Sequence, residues 1–169
     1  MILRYFNAAG ARRDLRVGQA TPRATHLIKV ASETALGVRA KMFVNGRDYS
    51  TPDGTCRRDY IHIEDLASAH IAALEYLARR GGSDAFNVGY GRSSSVLEVI
   101  QAVKRVSGRD FLVEMGPRRA GDTSSSAADT SKIRKALNWQ PRFDDLDLIC
   151  RTAFEWERRL RSGEKLERS

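Results

Sequence analysis

Arg58 and Arg119 are the residues of this sequence best suited to holding a ligand. Each guanidinium offers a planar pair of donors matched to phosphate oxygens, and both stand beside turns where an anion can approach. Asp122, directly after Gly121, adds a carboxylate able to accept hydrogen bonds from ribose hydroxyls. A catalyst is harder to find. Gly89-Tyr90-Gly91 lacks the third glycine and the long preceding strand of a dinucleotide fingerprint. None of Tyr5, Tyr49, Tyr60, Tyr76 and Tyr90 is followed four residues on by lysine, Tyr76 with Arg80 coming nearest. His26, His62 and His70 have no metal-ligand spacing, and no Gly-x-Ser-x-Gly elbow occurs. The Asp144-Asp145 pair precedes a helical pattern, where capping accounts for it better than acid/base work. Spacing alone points to anion binding and shows no catalyst.

The chain that must position these groups has 169 residues, 41% of them hydrophobic and 30% charged, which fits one globular domain and not a disordered segment. No apolar run approaches the roughly 18 residues of a membrane span. Met1 to Phe6 lacks the charged-then-apolar layout of a signal peptide, so a cytoplasmic address is expected. The two cysteines, Cys56 and Cys150, make neither a disulfide framework nor a zinc ribbon. The net charge is +8, but the pairs Arg12-Arg13, Arg57-Arg58, Arg79-Arg80, Arg118-Arg119 and Arg158-Arg159 are dispersed among acids. A nucleic-acid binder gathers such charge into a stripe with interleaved aromatics, so the pattern argues against that partner. Charge of this kind attracts any polyanion, a nucleotide diphosphate included.

The coarse pattern alternates strands and helices. Strands are expected at Met1–Asn7, Lys41–Asn45, Tyr60–Ile63, Ala85–Val88 and Asp110–Met115. Loops are expected at 8–24, at the turn-rich 46–54, at 89–91 and at 116–128. Helices are expected over Thr25–Leu36, from an Asp65 cap to Arg80 before Gly81-Gly82, over Ser95–Ser107, over Asp129–Leu137 and over Leu146–Leu160. Ser95 with Glu98 reads as a capping box, and the tail after Arg161 as frayed. So few and such short strands make a poor independent sheet, a first hint of an upstream piece.

Read together, several runs resemble the C-terminal half of UDP-glucose 4-epimerases. They are Leu3-Arg4-Tyr5-Phe6-Asn7-Ala8-Ala9-Gly10, Thr25-His26-Leu27-Ile28, and Asp48-Tyr49-Ser50-Thr51-Pro52-Asp53-Gly54-Thr55-Cys56-Arg57-Arg58-Asp59-Tyr60-Ile61-His62. Asp65-Leu66-Ala67-Ser68-Ala69-His70, Phe86-Asn87-Val88-Gly89, Arg118-Arg119-Ala120-Gly121-Asp122 and Ala128-Asp129 follow in the same order. The resemblance covers nearly the whole chain.

It implies an α/β fold: the C-terminal substrate-binding part of an extended short-chain dehydrogenase/reductase, a Rossmann-type protein, with most of the N-terminal parallel sheet missing. Residues 1–10 would be a remnant of the last Rossmann strands, 11–161 the UDP-sugar-binding domain and 162–169 a frayed tail. In that family a tyrosine removes the proton of the sugar 4-hydroxyl while hydride moves to NAD, and the 4-keto sugar turns over before hydride returns. By the resemblance, Phe6 would touch the nicotinamide end of NAD and Asn7 the diphosphate of the substrate. His26 and Leu27 would stand by diphosphate and uracil, Phe43 and Asn45 along the base. Arg58 and Arg119 would grip the diphosphate and Asp122 the ribose. NAD is not expected to bind the chain alone, because the glycine fingerprint and the Tyr-x-x-x-Lys pair are not in it.

Four positions depart from the family pattern. Gln19 stands for an acid after Gly18, Lys29 for a proline, Arg57 for an apolar residue that would be costly to bury unpaired, and Ser126 for a bulkier side chain, which thins one wall of the site. The expected function is a truncated epimerase-like protein that is inactive alone. At most it binds UDP-glucose or UDP-galactose, or it regains turnover with a separately encoded N-terminal half. The alternative is a non-catalytic nucleotide-sugar or polyanion-binding module.

Overall fold

The short apolar run at the start of the chain makes β1 (Ile2–Tyr5), which runs parallel to β6 (Ala85–Val88) with Leu3 beside Phe86. In this computed structural model, which describes residues 1–80 and 82–163, the backbone breaks at Phe6 and continues as β2 (Asn7–Ala9). The expected single strand and loop over 1–10 are therefore two strands. Ala8 and Ala9 belong to the second because the parallel strand β5 (Tyr60–His62) supplies their partners. A third parallel pair joins β3 (Met42–Asn45) to β8 (Val113–Gly116). Three two-residue strands that the sequence pattern missed, β4 (Arg57–Arg58), β7 (Ser94–Ser95) and β9 (Ser125–Ser126), form a small sheet with β4 in the middle. They are too short for any periodicity and arise only where distant loops meet.

Among the helices, α3 (Val96–Ser107) matches its sequence signal most closely. Ser95 Oγ accepts from Glu98 N, the Glu98 carboxylate accepts from Ser95 N, and Val99, Ile100 and Val103 are buried. It packs between α1 (Leu27–Ala35) and α5 (Leu146–Ser162), burying Ile28, Ala31, Ile149 and Phe154 in the same core. Asp145 caps α5 by accepting from the Asp147 and Leu148 amides, and the neighbouring Asp144 pairs with Arg92. The helix runs through Ser162, past the expected end, and residues 164–169 of the expected tail lie outside the described residues.

Three helix starts are corrected. α1 begins at Leu27, two residues later than expected, with His26 at its N-cap. α2 (Ile63–Arg80) follows β5 without a gap, so Asp65 sits inside its first turn and caps nothing. Its buried carboxylate instead accepts from the Tyr90 hydroxyl and from the Arg142 and Phe143 amides, each at 2.8 Å, tying two loops to the helix. α4 (Ser131–Leu137) begins two residues later than expected, with Asp129 accepting from the Ser131 amide ahead of it. Both cysteines are free and buried. No helix among the described residues is long and apolar enough to cross a membrane.

Candidate functional site

The turn over 46–54 folds as its composition predicts. Asp53 accepts from both the amide and the hydroxyl of Thr55, and Ser95 Oγ donates to the second oxygen of the same carboxylate. Gly54 takes φ 76°, and a Cβ there would fall 2.2 Å from the Arg47 carbonyl oxygen. This turn delivers β4, and Asp59 anchors the chain directly after that strand. The Asp59 carboxylate is fully buried and accepts from the amides of Tyr90, Gly91 and Ala128 at 3.0–3.1 Å. The loop 89–91 is thus a cradle for an internal carboxylate. Arg58 and Tyr60, on either side of Asp59, face the opposite way into a cleft of about 1190 Å³.

All eight residues carried over as substrate contacts line that one cleft. Asn7 opens β2, its side-chain amide donating to the Asp59 carbonyl at 3.0 Å. His26 occupies the N-cap position of α1 with extended backbone, and Leu27 is the first helical residue. Phe43 and Asn45 are the outward positions of β3, while Met42 and Val44 point into the core; Phe43 is 56% exposed. Asp122 lies between the two arginines, its Oδ1 3.4 Å from Arg58 and 3.2 Å from Arg119. Arg58 also donates to the carbonyls of Arg57 and Thr123 at 2.8 Å, so its fork is held in place. The hydrogen bond that Arg119 donates to Asp122 raises the Arg119 pKa, keeping that guanidinium charged.

Phe6, assigned to the cofactor, lies half-buried at the break between β1 and β2 and is not among the residues lining the cleft. A dinucleotide cradle also needs a glycine-rich turn opening a helix after a strand, and the sequence holds no such turn. The residues present do not fit NAD, and no hydride step is derived from them.

The arginine pairs divide by role. Arg118 packs its guanidinium 4.3 Å from the centre of the Tyr49 ring and binds Asp48 at 2.7 Å, pinning the loop 117–124 to the turn; Arg119 beside it is left for the cleft. Arg57 is not an unpaired buried charge: it donates to Ser93 and reaches Glu98 at 3.4 Å. Lys29, also out of pattern, is buried with its ammonium 2.5 Å from Glu157 and 3.6 Å from Glu33. Ser126 pairs with Arg58 in the small sheet and does not line the cleft. Sequence reasoning missed Arg23 and Tyr60 as lining residues, and nothing in their spacing signals it. Trp156 on α5 lines the cleft as well, its indole N–H donated to the Gln19 carbonyl at 3.0 Å.

Parallel strand pairs, flanking helices and an arginine-lined cleft define an α/β protein of the Rossmann type. Residues 1–89 match the model of the NAD dependent epimerase/dehydratase family, and the chain belongs to that family. It is similar to the UDP-glucose 4-epimerase of Azospirillum brasilense, 52% identical over 160 residues that cover 95% of this chain and 46% of the relative. A crystal structure of UDP-glucose-4-epimerase from Stenotrophomonas maltophila, with bound NAD and formylated UDP-arabinopyranose, superposes with a TM-score of 0.91 at 38% identity, covering 95% of this chain and 48% of that one. The UDP-Glc/GlcNAc 4-epimerase of Campylobacter jejuni is 59% identical with a TM-score of 0.79, covering 94% and 48%. The chain spans about half the length of the curated relatives it matches.

Proposed function

We propose that this chain forms the UDP-sugar-binding half of an epimerase-type site. The observation that carries the reading is that the eight residues implied by the family resemblance line one cleft, with Asp122 set between two guanidiniums. In this reading Arg58 and Arg119 hold the diphosphate and Asp122 turns toward the ribose hydroxyls. Phe43 and Asn45 lie along the uracil, while His26, Leu27 and Asn7 close the two ends. Charge-assisted hydrogen bonds from the arginines contribute about 1.5–3 kcal/mol each. Affinity is weak, because a single half-site buries one side of the ligand.

The sequence supplies no positioned acid/base pair and no dinucleotide cradle, so the chain alone does not interconvert UDP-glucose and UDP-galactose when NAD is added. Turnover belongs to an assembly in which an N-terminal half brings the cofactor and the tyrosine. Calorimetric titration of the chain with UDP, beside Arg119→Ala, tests the binding reading. Wild-type binding weakened in the variant supports it, and an unchanged dissociation constant rejects the site. An epimerase assay of the purified chain with NAD, then with a separately produced N-terminal half of a relative, tests the rest. Turnover by the chain alone overturns the inactivity, and silence of the mixture counts against the assembly.

A further inference from the structure

Arg23 stands in a turn where an arginine is out of place. It follows Pro22 at φ 53°, in the left-handed region that glycine or asparagine takes more readily. The next residue is fixed without it: Ala24 is buried, and its carbonyl accepts from Arg39 at 3.4 Å. The Arg23 side chain is exposed, lines the cleft and, among the described residues, has no hydrogen bond or ion pair. Nothing in the chain itself therefore offsets the strained backbone, and strain of that kind collects where a ligand is held.

The other lysines and arginines of the cleft are matched. Glu157 holds Lys29, Glu33 holds Arg39 and Glu114 holds Lys41. Arg58 and Arg119 share Asp122, so those three groups carry one net positive charge. The diphosphate of a nucleotide sugar carries two negative charges, one more than the three groups answer. Among the described residues Arg23 is the one arginine or lysine of the cleft without a carboxylate. We propose that Arg23 is a third diphosphate-binding guanidinium, reaching into the cleft from the turn ahead of α1 and completing the charge balance. This rests on the UDP-sugar reading above. Because the side chain is exposed, its contact with the ligand is screened by salt and contributes modestly.

Calorimetric titration of the full chain with UDP-glucose at low salt tests this. The wild type is compared with Arg23→Gly and with Arg79→Ala, which removes one charge from α2 away from the cleft. Arg23→Gly is expected to weaken binding about two- to five-fold, a loss that shrinks as salt is raised, and Arg79→Ala to change it by less. The melting temperature of Arg23→Gly should be no lower than that of the wild type. Glycine takes this φ without strain, which offsets its greater freedom in the unfolded chain. An unchanged dissociation constant, an equal loss in Arg79→Ala, a loss indifferent to salt or a fall in melting temperature overturns the proposal. Failure of the wild type to bind UDP-glucose overturns the UDP-sugar reading instead. Inorganic pyrophosphate, titrated in the same buffers, then decides Arg23 separately: binding weakened in Arg23→Gly supports the diphosphate contact, and equal binding or none rejects it.

Discussion

Asp122 touches both guanidiniums of the cleft, yet those arginines are not equivalent. Arg58 spends one arm on two backbone carbonyls and the other on Asp122, whereas Arg119 is largely exposed and donates to Asp122. Arg58→Lys preserves the charge but cannot reproduce that fork, so it is expected to weaken UDP binding by ~1–2 kcal/mol, measured by calorimetry. His62 behaves differently. Buried between Thr152, the Glu64 amide and the Phe143 ring, it has a pKa below the ordinary 6.5, with desolvation the main cause. Because the unfolded chain then binds a proton more readily than the folded one, this contribution to stability is full above pH 6.5 and is lost as pH falls through the folded value. The melting temperature is expected to drop between neutral pH and the carboxylate range, with a shallower slope in His62→Gln. Equal slopes would remove His62 as the cause.

At the scale of elements, α1 and α5 are joined by charge as well as by apolar packing. Lys29 lies between Glu33 and Glu157, Arg39 binds the far oxygen of Glu33, and Arg161 reaches both carboxylates. Each buried carboxylate therefore has two or more cationic partners, which makes an otherwise costly burial tolerable. Removing Lys29 leaves each carboxylate an arginine partner but takes away the buried cation between them, so Lys29→Met is expected to destabilise the fold by ~1–3 kcal/mol in urea unfolding. A Lys29→Met/Glu157→Leu double variant should recover part of that loss. The periodic helices were legible beforehand because 3.6-residue spacing and the Ser95 and Asp145 caps are local signals. The ion cluster was not, since Lys29 and Glu157 are far apart in sequence and meet only through helix packing.

For the whole molecule, several large apolar side chains remain exposed. Ala73 is buried and Leu66 and Leu77 are half-buried, while Ile71 and Leu74 on α2 and Ile2 and Tyr5 on β1 stand out, Leu74 at 67% exposure. Tyr5 on β1 lies near His70 on α2, their ring centroids 6.0 Å apart. Among the described residues no strand lies along the second edge of β1. An open parallel edge beside apolar side chains favours association. Sedimentation velocity is expected to show concentration-dependent self-association that Leu74→Lys reduces. The same substitution should lower any turnover regained with an N-terminal half, if that half covers the patch.

By itself the sequence determined the helices, the turn around Gly54 and the family, because caps, periodicity and short motifs are written in contiguous residues. Tertiary structure alone decided that β1 and β2 are separate strands, that Asp65 and Asp59 serve as internal acceptors for distant amides, and that Arg23 lines the cleft. It also decided that Arg57 and Lys29 find partners. Each of those outcomes depends on groups brought together by packing across long stretches of chain, and desolvation gives such meetings their energy only once the core has closed.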